Sequence, residues 1–166
     1  SGGTGGDSSG WISGGFEWTD GGLEPNTWYE YRVRYRNGDG ETTLYCAGSV
    51  RRYTLSVPPS AATVSCDRGV GAWHHTNPWS FGAVGGFGLG RVQYYRTFWD
   101  QRPNHSGGYA GGSLWNAGDH QMAATDTGPW YMHMQGYNHD GVPNGTLTLG
   151  PYLFDNTVPD GPVISS

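Results

Sequence analysis

Lysine is absent from this sequence of 166 residues, and all nine basic positions are arginine. That excludes Lys–Asn isopeptide cross-links of the kind some surface adhesins carry. It also excludes a phosphate-binding loop, which needs a lysine. Acidic residues number 14, giving a formal net charge of -5, which argues against a general nucleic-acid surface. No run approaches the ~18 apolar residues of a membrane-spanning helix. Long helices are not expected either, because almost every window holds Gly, Pro or a β-branched run. Two cysteines, Cys46 and Cys66, are too few for a disulfide framework and lack zinc spacing. Neither a signal peptide nor an initiator Met is present. The chain therefore reads as a processed product, a fragment or part of something longer.

Catalytic signatures are missing as well. No G-x-S-x-G occurs, and the six histidines (74, 75, 105, 120, 133 and 139) form no H-x-x-x-H or H-E-x-x-H pair. His133 is expected to point outward from its strand. Asp100 or Asp119 paired with another carboxylate would suit glycosidase chemistry, but few acids sit at apparent core positions. Asn37, Asp39 and Glu41, like Asn138 and Asp140, read as strand-end turns, since the full calcium-loop spacing is absent. No enzyme activity, metal or cofactor is expected. Asn104-His105-Ser106 and Asn144-Gly145-Thr146 match the glycosylation acceptor pattern.

Aromatics and glycine are abundant: 8 Trp, 11 Tyr, 5 Phe and 30 Gly. That combination suits short strands joined by tight turns. The clearest stretch is residues 23–40, LEPNTWYEYRVRYRNGDG. Tyr29, Tyr31, Val33 and Tyr35 alternate with Glu30, Arg32, Arg34 and Arg36, the mark of a half-buried antiparallel strand. A Pro-Asn corner precedes it and an Asn-Gly-Asp-Gly turn follows. This pattern resembles the E–F corner and F strand of a fibronectin type III domain. The resemblance implies a sandwich in which the Tyr29 hydroxyl turns back to the chain at the corner. By the same resemblance, residues 15–20 (Phe16, Trp18) are strand E, 28–36 strand F and 49–57 strand G. Residues 1–10 read as a flexible linker and Val57–Ala61 as a second one.

Further strands are expected near 62–66, 79–89, 91–100 (central, apolar on both faces), 113–116, 120–125, 130–137 and 146–154, the last kinked at Gly150-Pro151. There is an internal echo. Setting Asn37-Gly38-Asp39-Gly40 over Asn138-His139-Asp140-Gly141 puts Tyr29, Tyr31 and Val33 opposite Trp130, Met132 and Met134. Residues 58–156 thus resemble a complete immunoglobulin-like or fibronectin-like sandwich, similar to modules of tandem-repeat bacterial surface proteins. Residues 157–166 resemble a linker and the start of an A strand.

The fold class expected is all-β: tandem sandwiches, the first incomplete. Residues 1–57 supply E, F and G only. Leaving ~500 Å² of that inner face wet forfeits on the order of 12 kcal/mol, more than a typical domain's net stability. The expectation is completion by another copy, or by an adjoining repeat of a longer chain. The interface would use Phe16, Trp18, Tyr31 and Val33, with Val163 and Ile164 adding an edge strand. In a fibronectin topology roughly ten extended residues, about 30 Å, separate Cys46 from Cys66. A disulfide needs Cα atoms within about 7 Å, so an intermolecular bridge or free thiols remain. The function expected is that of a non-enzymatic extracellular or cell-surface module, the repeating subunit of a filament or array. The alternative is a carbohydrate-binding or spacer region of a larger secreted enzyme or adhesin, with Trp73, Trp79, Trp99 and Trp115 as candidate sugar platforms. Residues 58–156 expressed alone should unfold cooperatively in urea; non-cooperative melting would show that the unit needs the rest of the chain.

Overall fold

The computed structural model describes residues 5–157. Val163 and Ile164, expected in a terminal edge strand, lie outside the described residues. Within them the chain is all-β, with ten strands in three sheets. The first two, β1 (Trp28–Tyr31) and β2 (Val50–Tyr53), form an isolated antiparallel pair. The rest are β3 (Val64–Cys66), β4 (Trp73–His74), β5 (Trp79–Ala83), β6 (Tyr94–Asp100), β7 (Ser113–Trp115), β8 (His120–Met122), β9 (Gly128–Tyr137) and β10 (Pro143–Phe154). They make a three-stranded sheet, β3-β5-β8, and a five-stranded sheet, β4-β10-β9-β6-β7.

The two larger sheets enclose one core. Trp79 and Phe81 come from the small sheet, and Tyr95, Trp115, Trp130, Met132, Met134, Tyr152 and Phe154 from the large one. The rings meet edge-on or tilted: Trp79 against Phe154 at 5.7 Å, and Phe81 against Tyr152 at 5.3 Å. Such arrangements suit the quadrupoles of aromatic faces and edges. The alternation of Trp130, Met132 and Met134 is what puts all three into this core. His133, expected to face solvent, is instead fully buried. It lies on the other face of β9, where its Nε2 is 2.9 Å from the Arg102 carbonyl and its ring 5.5 Å from His105. The loop after β6 covers that face, which a period-two reading of one strand cannot register.

Three strand expectations need correction. Residues 15–20 form no strand. Gly14-Gly15 and Gly21-Gly22 bracket them, favouring turns over pairing, and Asp20 accepts from the Asp7 N–H and the Tyr31 hydroxyl. Strand 28–36 ends as a regular element at Tyr31. Beyond it the hairpin continues unevenly, with the Cys46 N–H on the Val33 carbonyl and the Thr43 N–H on the Tyr35 carbonyl, both at 2.9 Å. The element expected over 79–89 stops at Ala83, because Gly85, Gly86, Gly88 and Gly90 take positive φ. β4 was not anticipated. It pairs in parallel beside the end of β10, Leu153 opposite Trp73.

Neither expected linker is free along its whole length. A Cβ on Gly6 would sit 3.0 Å from the Tyr29 ring, so this segment lies on the first hairpin. In the second, Pro59 is buried, and a Cβ on Gly145 would come within 2.7 Å of Pro58.

One core-facing polar group sets a pH dependence. Burial pushes the His120 imidazole below its usual 6.5, while Trp115 stacks on its ring at 5.3 Å and Thr97 Oγ1 is 2.8 Å from Nε2. A depressed histidine binds fewer protons folded than unfolded. Its contribution is therefore present above pH 6.5 and lost as the pH falls below it. Urea midpoints measured from pH 8 to 5 should decline through this window, and H120Q should flatten that decline.

Candidate assembly interface

The β1–β2 hairpin is held at one end by two buried asparagines. Asn26, at φ 44°, occupies the left-handed region that asparagine tolerates better than most residues. Its Nδ2 donates to the Gly88 carbonyl at 2.7 Å and to Gln93 Oε1 at 3.1 Å. Its Oδ1 accepts the His139 N–H at 2.7 Å, and its own N–H goes to the Leu55 carbonyl. Asn138 lies in the β9–β10 turn. Its Nδ2 donates to the Thr54 carbonyl at 3.0 Å, and its Oδ1 accepts from the Val142 N–H at 2.8 Å. Asp140 accepts the outward Tyr53 N–H at 3.0 Å, and the His139 ring stacks on Tyr53 at 4.4 Å. Asn144 Nδ2 donates to the Ser56 carbonyl, so this acceptor-motif amide is already engaged. Tyr29 completes the corner: its hydroxyl accepts the Glu24 N–H at 3.1 Å. Buried amides with all their hydrogen bonds made fix one docking geometry, because any slip strands them unpaired.

The other end of the hairpin is open. Tyr29 is 3 % exposed, buried within its own chain. Gly6 lies against its ring, and Glu24 binds its hydroxyl. Asp20 also anchors Tyr31 at 2.5 Å, which pushes the Tyr31 hydroxyl up to about 12. Trp18 reaches the Tyr31 ring edge-on at 5.8 Å. The cover stops there. Phe16 is 99 % exposed and Val33 55 %; Tyr35, Leu44 and Val50 are exposed as well, and so is Tyr45, whose ring lies under Arg34 at 5.2 Å. Of the expected interface residues, the structure brings together Trp18 and Tyr31, while Phe16 and Val33 are laid open. On the arginine row, Arg34 and Arg36 sit over the Trp11 ring at 5.1 and 4.6 Å.

Cys46 and Cys66 are both free, Cys46 exposed and Cys66 partly buried. Burial pushes the Cys66 thiol up. Among the described residues, no group of three or more His, Cys, Asp or Glu could hold a metal ion. No helix there is long and apolar enough to cross a membrane. As for the tryptophans, Trp79 and Trp115 are sealed in the core, and Trp73 alone of the four is exposed. The Asn26–Asn138 junction was missed from sequence. Its partners are 62 to 113 residues apart, and its one local signal is the repeated Asn-x-Asp-Gly. No family model, curated protein or solved structure matches this chain.

Asn26→Ala should leave the His139 N–H, the Gly88 carbonyl and Gln93 without their partner. A cost of about 1–3 kcal/mol is expected for such loss, read as accelerated exchange of the Tyr53 and His139 amides. Unchanged exchange would show that packing alone seats the hairpin.

Proposed function

We propose that this chain is a non-enzymatic structural segment of an extracellular or cell-surface assembly, built of tandem fibronectin type III- or immunoglobulin-like modules. Its first module completes its core on another copy, or on an adjoining repeat of a longer chain. The observation that carries this reading is the number of large apolar side chains the first unit leaves exposed, Phe16, Val33, Tyr35, Leu44 and Val50 among them. A two-stranded hairpin is marginal in water without a third strand or a covered face. Large apolar side chains left in water in such number favour association over a free hairpin.

Strand order supports the module type. Strands β3-β5-β8 stand against β10-β9-β6-β7, three facing four, as A-B-E faces G-F-C-C′ in the fibronectin type III arrangement. β4 adds a fifth strand, parallel to β10, at the edge of that sheet. A contact from the exposed apolar side chains of one copy to a different surface of the next does not close on itself, so it generates a fibre or array. The carbohydrate-binding alternative has less support, because only Trp73 among its candidate platforms is available at the surface.

Sedimentation velocity of the full chain over a wide concentration range tests the reading. Concentration-dependent growth is expected, abolished by F16E/V33E and weakened by deletion of residues 158–166. A chain that stays monomeric at millimolar concentration, or assembles equally well as F16E/V33E, would refute it.

A further inference from the structure

The chain contains the same turn twice, and only one copy is occupied. In the β9–β10 turn, the Asn138 N–H goes to the Val142 carbonyl at 3.1 Å and the Gly141 N–H to the Asn138 carbonyl at 3.0 Å. The Val142 N–H goes to Asn138 Oδ1. In the first hairpin, the Asn37 N–H goes to the Glu41 carbonyl at 3.0 Å and the Gly40 N–H to the Asn37 carbonyl at 3.2 Å. The Glu41 N–H goes to Asn37 Oδ1 at 2.8 Å. The fourth residue is a glycine at positive φ in both, Gly40 at 89° and Gly141 at 75°. The two turns therefore present the same three groups outward: an asparagine NH2, the next residue's N–H and an aspartate carboxylate.

In the second turn each of these groups has a job. Asn138 donates to the Tyr53 and Thr54 carbonyls, His139 N–H donates to Asn26, and Asp140 accepts the Tyr53 N–H. In the first turn Asn37 Nδ2, the Gly38 N–H and the Asp39 carboxylate hold no hydrogen bond among the described residues, and residues 37–41 are all exposed.

We propose that Asn37–Glu41 is a second docking element, which seats the strand end and corner of an adjoining β-sandwich module. The inference rests on the tandem-module reading above. The partner's chemistry follows from the occupied copy. It is the end of an edge strand, presenting one outward N–H for Asp39 and carbonyls for Asn37, with a corner acceptor like the Asn26 amide oxygen for Gly38. Within this chain the matching receptor is already filled by residues 138–140. The end of β10 is closed by β4, where the Asp155 N–H binds the His74 carbonyl. The occupant is thus a module whose strand end resembles residues 24–56, not residues 125–157. Gly38 stands where His139 stacks on Tyr53, so the partner need not offer an aromatic ring there.

A graft tests the docking capacity in the full chain. H139G/V142E rewrites residues 138–142 as the first turn. Tyr53 amide exchange should stay within about threefold of the native rate, while D140A should accelerate it about tenfold or more, the size of one lost charge-assisted hydrogen bond. A graft exchanging as fast as D140A would overturn the proposal. For docking in trans, the probe is the full chain carrying N138A/H139P/D140A, which removes the Asn138 and Asp140 contacts, the His139 N–H and its ring from the corner, titrated into isotope-labelled native chain. The Gly38 and Asp39 amide signals should shift, and should not in a labelled D39A chain. No shift, with the probe folded and its Tyr53 amide unprotected, would also overturn it; if the probe does not fold, the graft decides. A chain that never assembles while the graft docks would sink the assembly reading alone. A chain that assembles while the graft fails would sink this proposal alone.

Discussion

Two buried carboxamides, Asn26 and Asn138, determine how the first hairpin relates to the sandwich. Each uses both N–H donors and its oxygen, and none of these bonds is to a neighbour in a regular ladder. Their partners are largely backbone groups at places where strands end: the Gly88 loop, the β9–β10 turn and the last residues of β2. Main-chain polar groups at strand ends have no ladder partner and must be satisfied some other way. The junction satisfies them with side chains, mostly from the other unit. It thereby sets an orientation that a flexible linker cannot set.

That constraint explains how a two-stranded sheet can stand beside the two packed sheets with much of its apolar surface exposed. The covered end includes Tyr29, its corner bond to Glu24 and the Thr27–Thr54 pairing. Away from the junction, regular pairing gives way beyond Tyr31, and apolar side chains from Val33 to Tyr45 face water. Order and burial fall together with distance from the asparagines. A surface held rigid at its root and left apolar toward its tip suits association, because little conformational freedom remains to be lost on binding.

Much of the sandwich was legible in the sequence, for a local reason. Where one face of a strand is buried, period-two alternation is strict, as at Trp130, Met132 and Met134, and Gly or Pro punctuates the ends. The corner tyrosine and both Asn-x-Asp-Gly turns were legible likewise, since their hydrogen bonds span only a few residues. Segment 15–20 misled because Phe16 and Trp18 alternate without any strand to pair with. Alternation reports a face, not a partner. β4 escaped notice because two residues carry no period. The junction escaped because Asn26 and Asn138 look like ordinary turn residues, and nothing near either of them in sequence points to the strand ends they bind. His133 shows the same limit in reverse: its face is buried by a loop that strand periodicity does not see.

The central claim is that the Asn26–Asn138 junction makes the hairpin and the sandwich one rigid body. Residual dipolar couplings of the backbone amides, measured on the full chain below any concentration at which it associates, test this directly. Couplings from residues 24–56 and from residues 62–155 should fit a single alignment tensor of one magnitude and orientation. Two tensors, with the hairpin's markedly reduced, would show a unit swinging on residues 57–61 and would contradict the account.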